Sequence, residues 1–160
     1  MPVAIIVDWV GPFDNFNEFR KQVRENWGSV NKCVYMAIGA HNVINYIGLT
    51  KNPTGRFYNH PKMCDESNRR FFIGEIVSQG VSGRRRQATR PDLNIAEHAL
   101  IAALQPRLNS RRLSSSISDC VSVFSRFFSP NDYETVIHPL PKFPSVIAFN
   151  SYSGDLRLHY

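Results

Sequence analysis

Cys33-Val34-Tyr35-Met36-Ala37-Ile38-Gly39-Ala40-His41-Asn42-Val43-Ile44-Asn45-Tyr46-Ile47-Gly48 is the stretch on which the reading of this chain turns. Val34, Tyr35, Met36 and Ile38 on one side, and Val43, Ile44, Tyr46 and Ile47 on the other, have the β-branched, aromatic and apolar character of strands. Gly39-Ala40-His41-Asn42 between them has turn chemistry. The pattern predicts a β-hairpin. It also brings Tyr35 and Tyr46, separated by residues 36 to 45, towards each other across the ladder. A lone tyrosine in a strand ordinarily just packs, so neither residue is informative alone.

The next segment runs from Thr50 to His60. Thr50 or Asn52 is placed to cap a helix, and Pro53 suits its first turn. Arg56 and His60, four residues apart, would share one helical face and reach one ligand together. Phe57 is expected to turn towards the sheet, and Gly55 predicts a short helix. Residues 70 to 78 read as a third strand. Beyond it, Leu93 to Leu104 is a strong helix former with Pro91 and Asp92 at its entry. At about 100° per residue, Leu93, Ala96, Leu100, Ala103 and Leu104 make one apolar arc, with Ile101 at its edge. Glu97 falls inside that arc. A carboxylate on a buried stripe is costly unless a cation or hydrogen bonds compensate it. A metal ion would serve, and so would an arginine, with Arg56 or the run Arg84-Arg85-Arg86 as candidates.

Taken in order, these residues resemble the catalytic set of the GIY-YIG nucleases over residues 33 to 109, about half of the chain. Cys33-Val34-Tyr35 stands for the Gly-Ile-Tyr element, with its glycine lost and valine for isoleucine. Tyr46-Ile47-Gly48 is intact. The family's arginine falls on Arg56, its histidine or tyrosine on His60 and its metal-binding glutamate on Glu97. Its Pro-x-x-Asn element falls on Pro106-Arg107-Leu108-Asn109. Several members carry a lysine just after the second element, and here Lys51 is the nearest. The resemblance implies an α+β fold with a small central antiparallel sheet flanked by helices. It also implies a catalytic set of Tyr35, Tyr46, Arg56, His60, Glu97 and Asn109, with Glu97 holding one Mg²⁺ or Mn²⁺.

Phosphodiester hydrolysis wants these residue types. It needs an activated water, a counter-charge for the phosphate and help for the leaving oxygen. One divalent ion on Glu97 would act as a Lewis acid, and a hard ion that keeps several waters suits a single carboxylate. Arg56 would stabilise developing negative charge. Tyr35 or Tyr46 would orient or deprotonate the water, and His60 would relay a proton or hold a tyrosine in place.

The charge distribution agrees. The net charge is +6, yet residues 51 to 112 hold twelve Lys/Arg against five Asp/Glu, while the flanks hold seven against eight. A basic surplus confined to the centre is a footprint for a polyanion. Lys51, Arg84, Arg85, Arg86 and Arg90 are the expected nucleic-acid contacts, with Arg107, Arg111 and Arg112 also placed to meet phosphates. DNA is the expected partner, with RNA also open. Cys33, Cys64 and Cys120 share no metal-ligand spacing. They fit a reduced intracellular protein, cytoplasmic or at the nucleoid or nucleus. The apolar start is interrupted by Asp8 and reads as a strand, not a signal peptide, and no run is long enough to span a membrane.

The flanks read as additions to the core. Residues 1–30 supply a strand from Ala4 to Val10, a turn at Gly11-Pro12, and a helix capped by Asp14 or Asn15 with Phe16, Phe19, Val23 and Trp27 on its apolar side. Residues 31–112 form the nuclease-like core. Residues 113–160 turn to β pattern, with candidate strands Cys120 to Phe128, Tyr133 to His138, Ser145 to Phe149 and Leu156 to Tyr160. This C-terminal part is expected as a β-rich appendage. The competing expectation for the whole is a catalytically weak nucleic-acid-binding module that keeps the nuclease fold. A protein-interaction domain is a third.

Overall fold

The strand β2 (Cys33–Gly39) is buried along all seven of its residues. Alternate side chains of a strand point to opposite faces, and here both faces are covered. Val34, Met36 and Ile38 enter one apolar cluster, while Cys33, Tyr35 and Ala37 enter the other. A computed structural model of the chain describes residues 3–27, 33–79, 90–114, 117, 120–138 and 140–160. In it, β3 (Ile44–Thr50) returns antiparallel to β2, setting Tyr35 opposite Gly48 and Ala37 opposite Tyr46. The connection is a 3-10 turn at Ala40–Asn42, with His41 at φ 56° and Asn42 at φ 61°. Asn and His tolerate that left-handed region better than most residues.

The other edge of β2 pairs antiparallel with β4 (Asn68–Gln79), and β4 pairs antiparallel with β1 (Val3–Phe13). On the far side of β1 lies β5 (Val121–Phe128), parallel to it, followed by β6 (Val146–Asn150) and β7 (Asp155–His159), each antiparallel to its predecessor. The order across the sheet is β3-β2-β4-β1-β5-β6-β7. The small, wholly antiparallel sheet expected above is therefore corrected to one mixed seven-stranded sheet. The C-terminal strands extend that sheet; they do not form a separate layer upon it. Apolar patterning announces a strand but not the edge it will join, and a parallel neighbour distant in sequence leaves no turn signal. The Gly11-Pro12 turn is absorbed into β1, where the pairing with β4 slips between Val10 and Phe13. The expected strand at Tyr133 to His138 reduces to a single bridge between Phe128 and Val136.

Among the described residues, three helices cover the sheet. In α1 (Phe16–Asn26), Asn15 is the cap, its Oδ1 accepting the Glu18 N–H at 2.8 Å. Phe19, Val23 and the following Trp27 bury against Phe71, Phe57 and their neighbours on one face. A single turn, α2 (Pro53–Arg56), is capped by Asn52, whose Oδ1 accepts the Gly55 N–H at 3.0 Å. On the opposite face, α3 (Arg90–Leu104) buries Leu93, Ala96, Ala99 and Leu100. No helix among the described residues is long and apolar enough to cross a membrane. Arg84, Arg85 and Arg86 lie outside the described residues.

Candidate active site

At one edge of the sheet, β3 has a free hydrogen-bonding side, and an unpaired edge needs a partner. The segment after α3 supplies it. Arg107 N–H donates to Ile44 O at 3.2 Å and Leu108 N–H to Asn45 O at 2.7 Å. The Asn109 amide completes the cover, its Oδ1 accepting from Ile47 N–H at 3.0 Å and its Nδ2 donating to Ile47 O at 2.8 Å. One side chain thus imitates a neighbouring strand. Asn109 is committed to the backbone between Tyr46 and Gly48, so it positions them.

Tyr35 points to the α1 side and is fully buried. Gly48 sits directly opposite, and a Cβ there would lie 2.6 Å from the Tyr35 Cζ and Oη. The glycine of the Tyr-Ile-Gly element is therefore the space that the Tyr35 phenol fills. Phe57 stacks edge-on to the Tyr35 ring, with centroids 4.7 Å apart. Two groups then converge on the hydroxyl: Arg56 Nε donates to Oη at 3.1 Å, and His60 Nε2 lies 3.0 Å from it. The helix ends at Arg56, so His60 is not on a shared helical face as expected. A one-turn helix is all that a Gly55-containing segment sustains, and the following turn carries His60 back to the same oxygen. Burial, then the Tyr46 phenol, pushes the Tyr35 pKa well above its ordinary value, with Arg56 opposing. His60 is only 3 % exposed. Burial first, then Arg56, brings its pKa down to about 4, leaving a neutral imidazole at physiological pH.

Tyr46 lies on the same face, its ring 6.0 Å from that of Tyr35 and 5.2 Å from that of His60. Unlike Tyr35 it reaches a cleft of about 620 Å³. Arg56, His60, Glu97 and Asn109 line that cleft with it. Glu97 arrives from α3, around the edge of β3, with its side chain 14 % exposed. The Leu49 amide lies beside its carboxylate. Its ion-pair partner is Arg112, with Nε 3.2 Å from Oε2; Arg112 also donates to Asn94 O at 2.9 Å. Burial raises the Glu97 pKa, and Arg112, the Leu49 amide and Arg56 oppose the rise.

Sequence reasoning did not single out Arg112 for this pairing, nor Lys62. Arg112 stands fifteen residues after Glu97 and outside any helical spacing, at φ 62°. Lys62 lines the cleft with its ammonium 5.4 Å from the centre of the Tyr46 ring. The lysine expected from the resemblance, Lys51, is exposed in the turn before α2 and does not line the cleft. Arg107 is exposed and lies against Asn45 and Ser67, donating to Asn45 Oδ1 at 3.3 Å and Ser67 Oγ at 2.6 Å. Arg90 opens α3, and its side chain is outside the description.

The cleft is basic, with Arg56, Lys62, Arg111 and Arg112 against one carboxylate, Glu97, among the described residues that line it. No cluster of three His, Cys, Asp or Glu side chains occurs among the described residues. A lone half-buried carboxylate fits an ion that keeps several waters and takes further oxygens from a phosphate, as Mg²⁺ does. It does not fit an ion needing a protein cage. Residues 31–90 match the family model of the GIY-YIG catalytic domain, a nuclease family. The match takes in Tyr35, Tyr46, Arg56 and His60 and stops short of Glu97 and Asn109. No curated protein and no solved structure matches the chain.

Proposed function

We propose that this chain, with a GIY-YIG catalytic domain match over residues 31–90, is a metal-dependent endonuclease that hydrolyses phosphodiester bonds in DNA. The observation that carries this reading is convergence. Tyr46, Arg56, His60, Glu97 and Asn109 come from a strand, a helix, a turn, a second helix and a loop, yet all line one basic cleft, with Tyr35 directly behind it.

In this reading Glu97 would hold one Mg²⁺ or Mn²⁺, which would supply Lewis-acid stabilisation of the scissile phosphate and its leaving oxygen. The remaining work falls to side chains. Arg56 neutralises charge developing on the phosphate. Tyr46 orients the attacking water, because its ring borders the cleft and that of Tyr35 does not. Tyr35 acts through Arg56 and His60, fixing both from behind. The neutral His60 imidazole holds the Tyr35 phenol in place, its Nε2 3.0 Å from that oxygen and its Nδ1 accepting from the Met63 N–H at 3.4 Å. The basic residues Lys51, Arg84, Arg85, Arg86 and Arg90 hold flanking phosphates, which position the duplex without reading its sequence.

The Glu97–Arg112 pair favours a second reading. Arg112 already balances the Glu97 charge, so the carboxylate is satisfied without a metal, as in a nucleic-acid-binding module of weak activity. A cleavage screen separates the two. Branched, nicked, single-stranded and duplex DNA, with RNA alongside, would be incubated with magnesium, manganese or a chelator. Metal-dependent products from any substrate support the endonuclease. Binding without products in every condition supports the module.

A further inference from the structure

A second groove lies on the other side of α2. Asn17, Lys21 and Arg24 of α1 form one wall, and Thr54, Phe57 and Tyr58 form the other, around about 260 Å³. Positions 17, 20 or 21, and 24 recur at helical spacing, so they share one face of α1. The adjacent flank carries the carboxylates Glu18 and Glu25, and Glu18 is engaged there: Gln22 Nε2 donates to Glu18 Oε1 at 3.0 Å, and the Tyr133 hydroxyl donates to Gln22 Oε1 at 3.0 Å. The helix is thus divided lengthwise by charge, and its cationic side faces α2.

Three details distinguish this face from an ordinary solvated one. Lys21 and Arg24 are exposed and make no hydrogen bond or ion pair with any described residue, and no carboxylate among the described residues lines the groove. Arg20 does the structural work of the stripe. It donates to Tyr58 O at 3.2 Å and to Asn17 Oδ1 at 3.0 Å, and lies over the Phe16 ring at 5.2 Å. Its bond fixes the backbone of Tyr58, whose residue is 83 % exposed. Finally, the short segment 53–62 walls both cavities: Thr54 and Tyr58 face the groove, while Arg56 and His60 face the cleft.

We propose that the groove between α1 and α2 is a second nucleic-acid subsite, in which Lys21 and Arg24 hold backbone phosphates and Tyr58 stacks on an unpaired base. It rests on the nuclease reading and extends it, since a stacking platform beside the cleft selects DNA with a single-stranded segment near the cut. Aromatic stacking tolerates any base, because every base has a π-face.

The test is fluorescence anisotropy of the full chain, in chelator, on single-stranded, tailed-duplex and blunt-duplex DNA across a salt series. Wild type is expected to prefer the single-stranded and tailed forms. Tyr58→Ala should weaken these two by about tenfold and leave the blunt duplex unchanged, while Tyr58→Phe keeps the binding. Lys21→Ala with Arg24→Ala should lower the log-log salt slope on single strands by about 0.7 per lost contact, and Lys21→Arg with Arg24→Lys should restore it. Thermal melts of each variant exclude unfolding. An unchanged slope in the double Ala variant, or unchanged single-strand affinity in Tyr58→Ala, overturns the subsite and leaves the nuclease reading standing. Wild type that binds none of the three DNAs at low salt overturns both.

Discussion

Tyr35 and Tyr46 look equivalent as letters, but burial and hydrogen bonding give them different work. Tyr46→Phe removes a hydroxyl at the cleft, so stability should hardly move, while single-turnover cleavage should fall by about 10²–10⁴-fold. Tyr35→Phe strips the shared partner from Arg56 Nε and His60 Nε2. Leaving the buried His60 nitrogen unmet costs about 1–3 kcal/mol, so this variant should melt lower as well as cut more slowly. Thermal melts beside cleavage rates separate the two residues. His60 supplies a pH signature. Its imidazole is buried neutral, with a pKa of about 4 against an ordinary 6.5. Between those values the unfolded chain binds a proton that the folded chain refuses. Stability therefore falls as pH drops from 6.5 towards 4, by at most about 3 kcal/mol, and is unaffected by this group above 6.5. Denaturant titrations of wild type and His60→Gln across that window should show the slope reduced in the variant. An identical pH dependence in both would remove His60 as its source. At this scale the sequence singled out Tyr35, Tyr46, Arg56, His60 and Glu97, and the fold gathers them in one cleft or directly behind it. It did not announce Arg112 as the partner of Glu97, nor Lys62 at all, because each reaches the cleft through a turn whose path has no periodic signature.

The edge strand β3 is the element on which the site depends. Its free side is closed by backbone from residues 107 and 108 and by the Asn109 amide. Asn109→Ala should expose the Ile47 amide, destabilise the fold by about 1–3 kcal/mol, and speed hydrogen exchange at Ile47 more than at the interior strand β2. Exchange rates equal to wild type at Ile47 would show that the loop covers the edge without this side chain. The hairpin, the short α2 and the amphipathic α3 were all legible, because each is a local pattern: alternation, a cap followed by proline, and an arc at helical spacing. Helix α2 nonetheless ends earlier than a shared Arg56–His60 face requires. The two side chains meet on the Tyr35 hydroxyl through a turn instead.

Across the whole molecule, the flanks are structural partners of the nuclease-like segment. Strand β1 lies between β4 and β5, and Phe19, Val23 and Trp27 cover the cluster that holds Tyr35. Sequence patterning identified most of these strands but could not say that they share one sheet, since long-range pairing is recorded in no local pattern. A fragment of residues 31–112 should therefore lack a cooperative thermal transition by circular dichroism, whereas the full chain melts as one unit. A cooperative melt of the fragment would mean that β4 needs neither β1 nor α1. The placement of one carboxylate among several cations, at the edge of that sheet, is what makes the cleft an active-site candidate. Its most direct test is single-turnover DNA cleavage by wild type and Glu97→Gln, with magnesium and with chelator, alongside binding of the same DNA. Wild type should cut only with the metal, and Glu97→Gln should bind yet not cut. Folded, DNA-bound wild type that never cuts, or Glu97→Gln that cuts at the wild-type rate, would contradict the account.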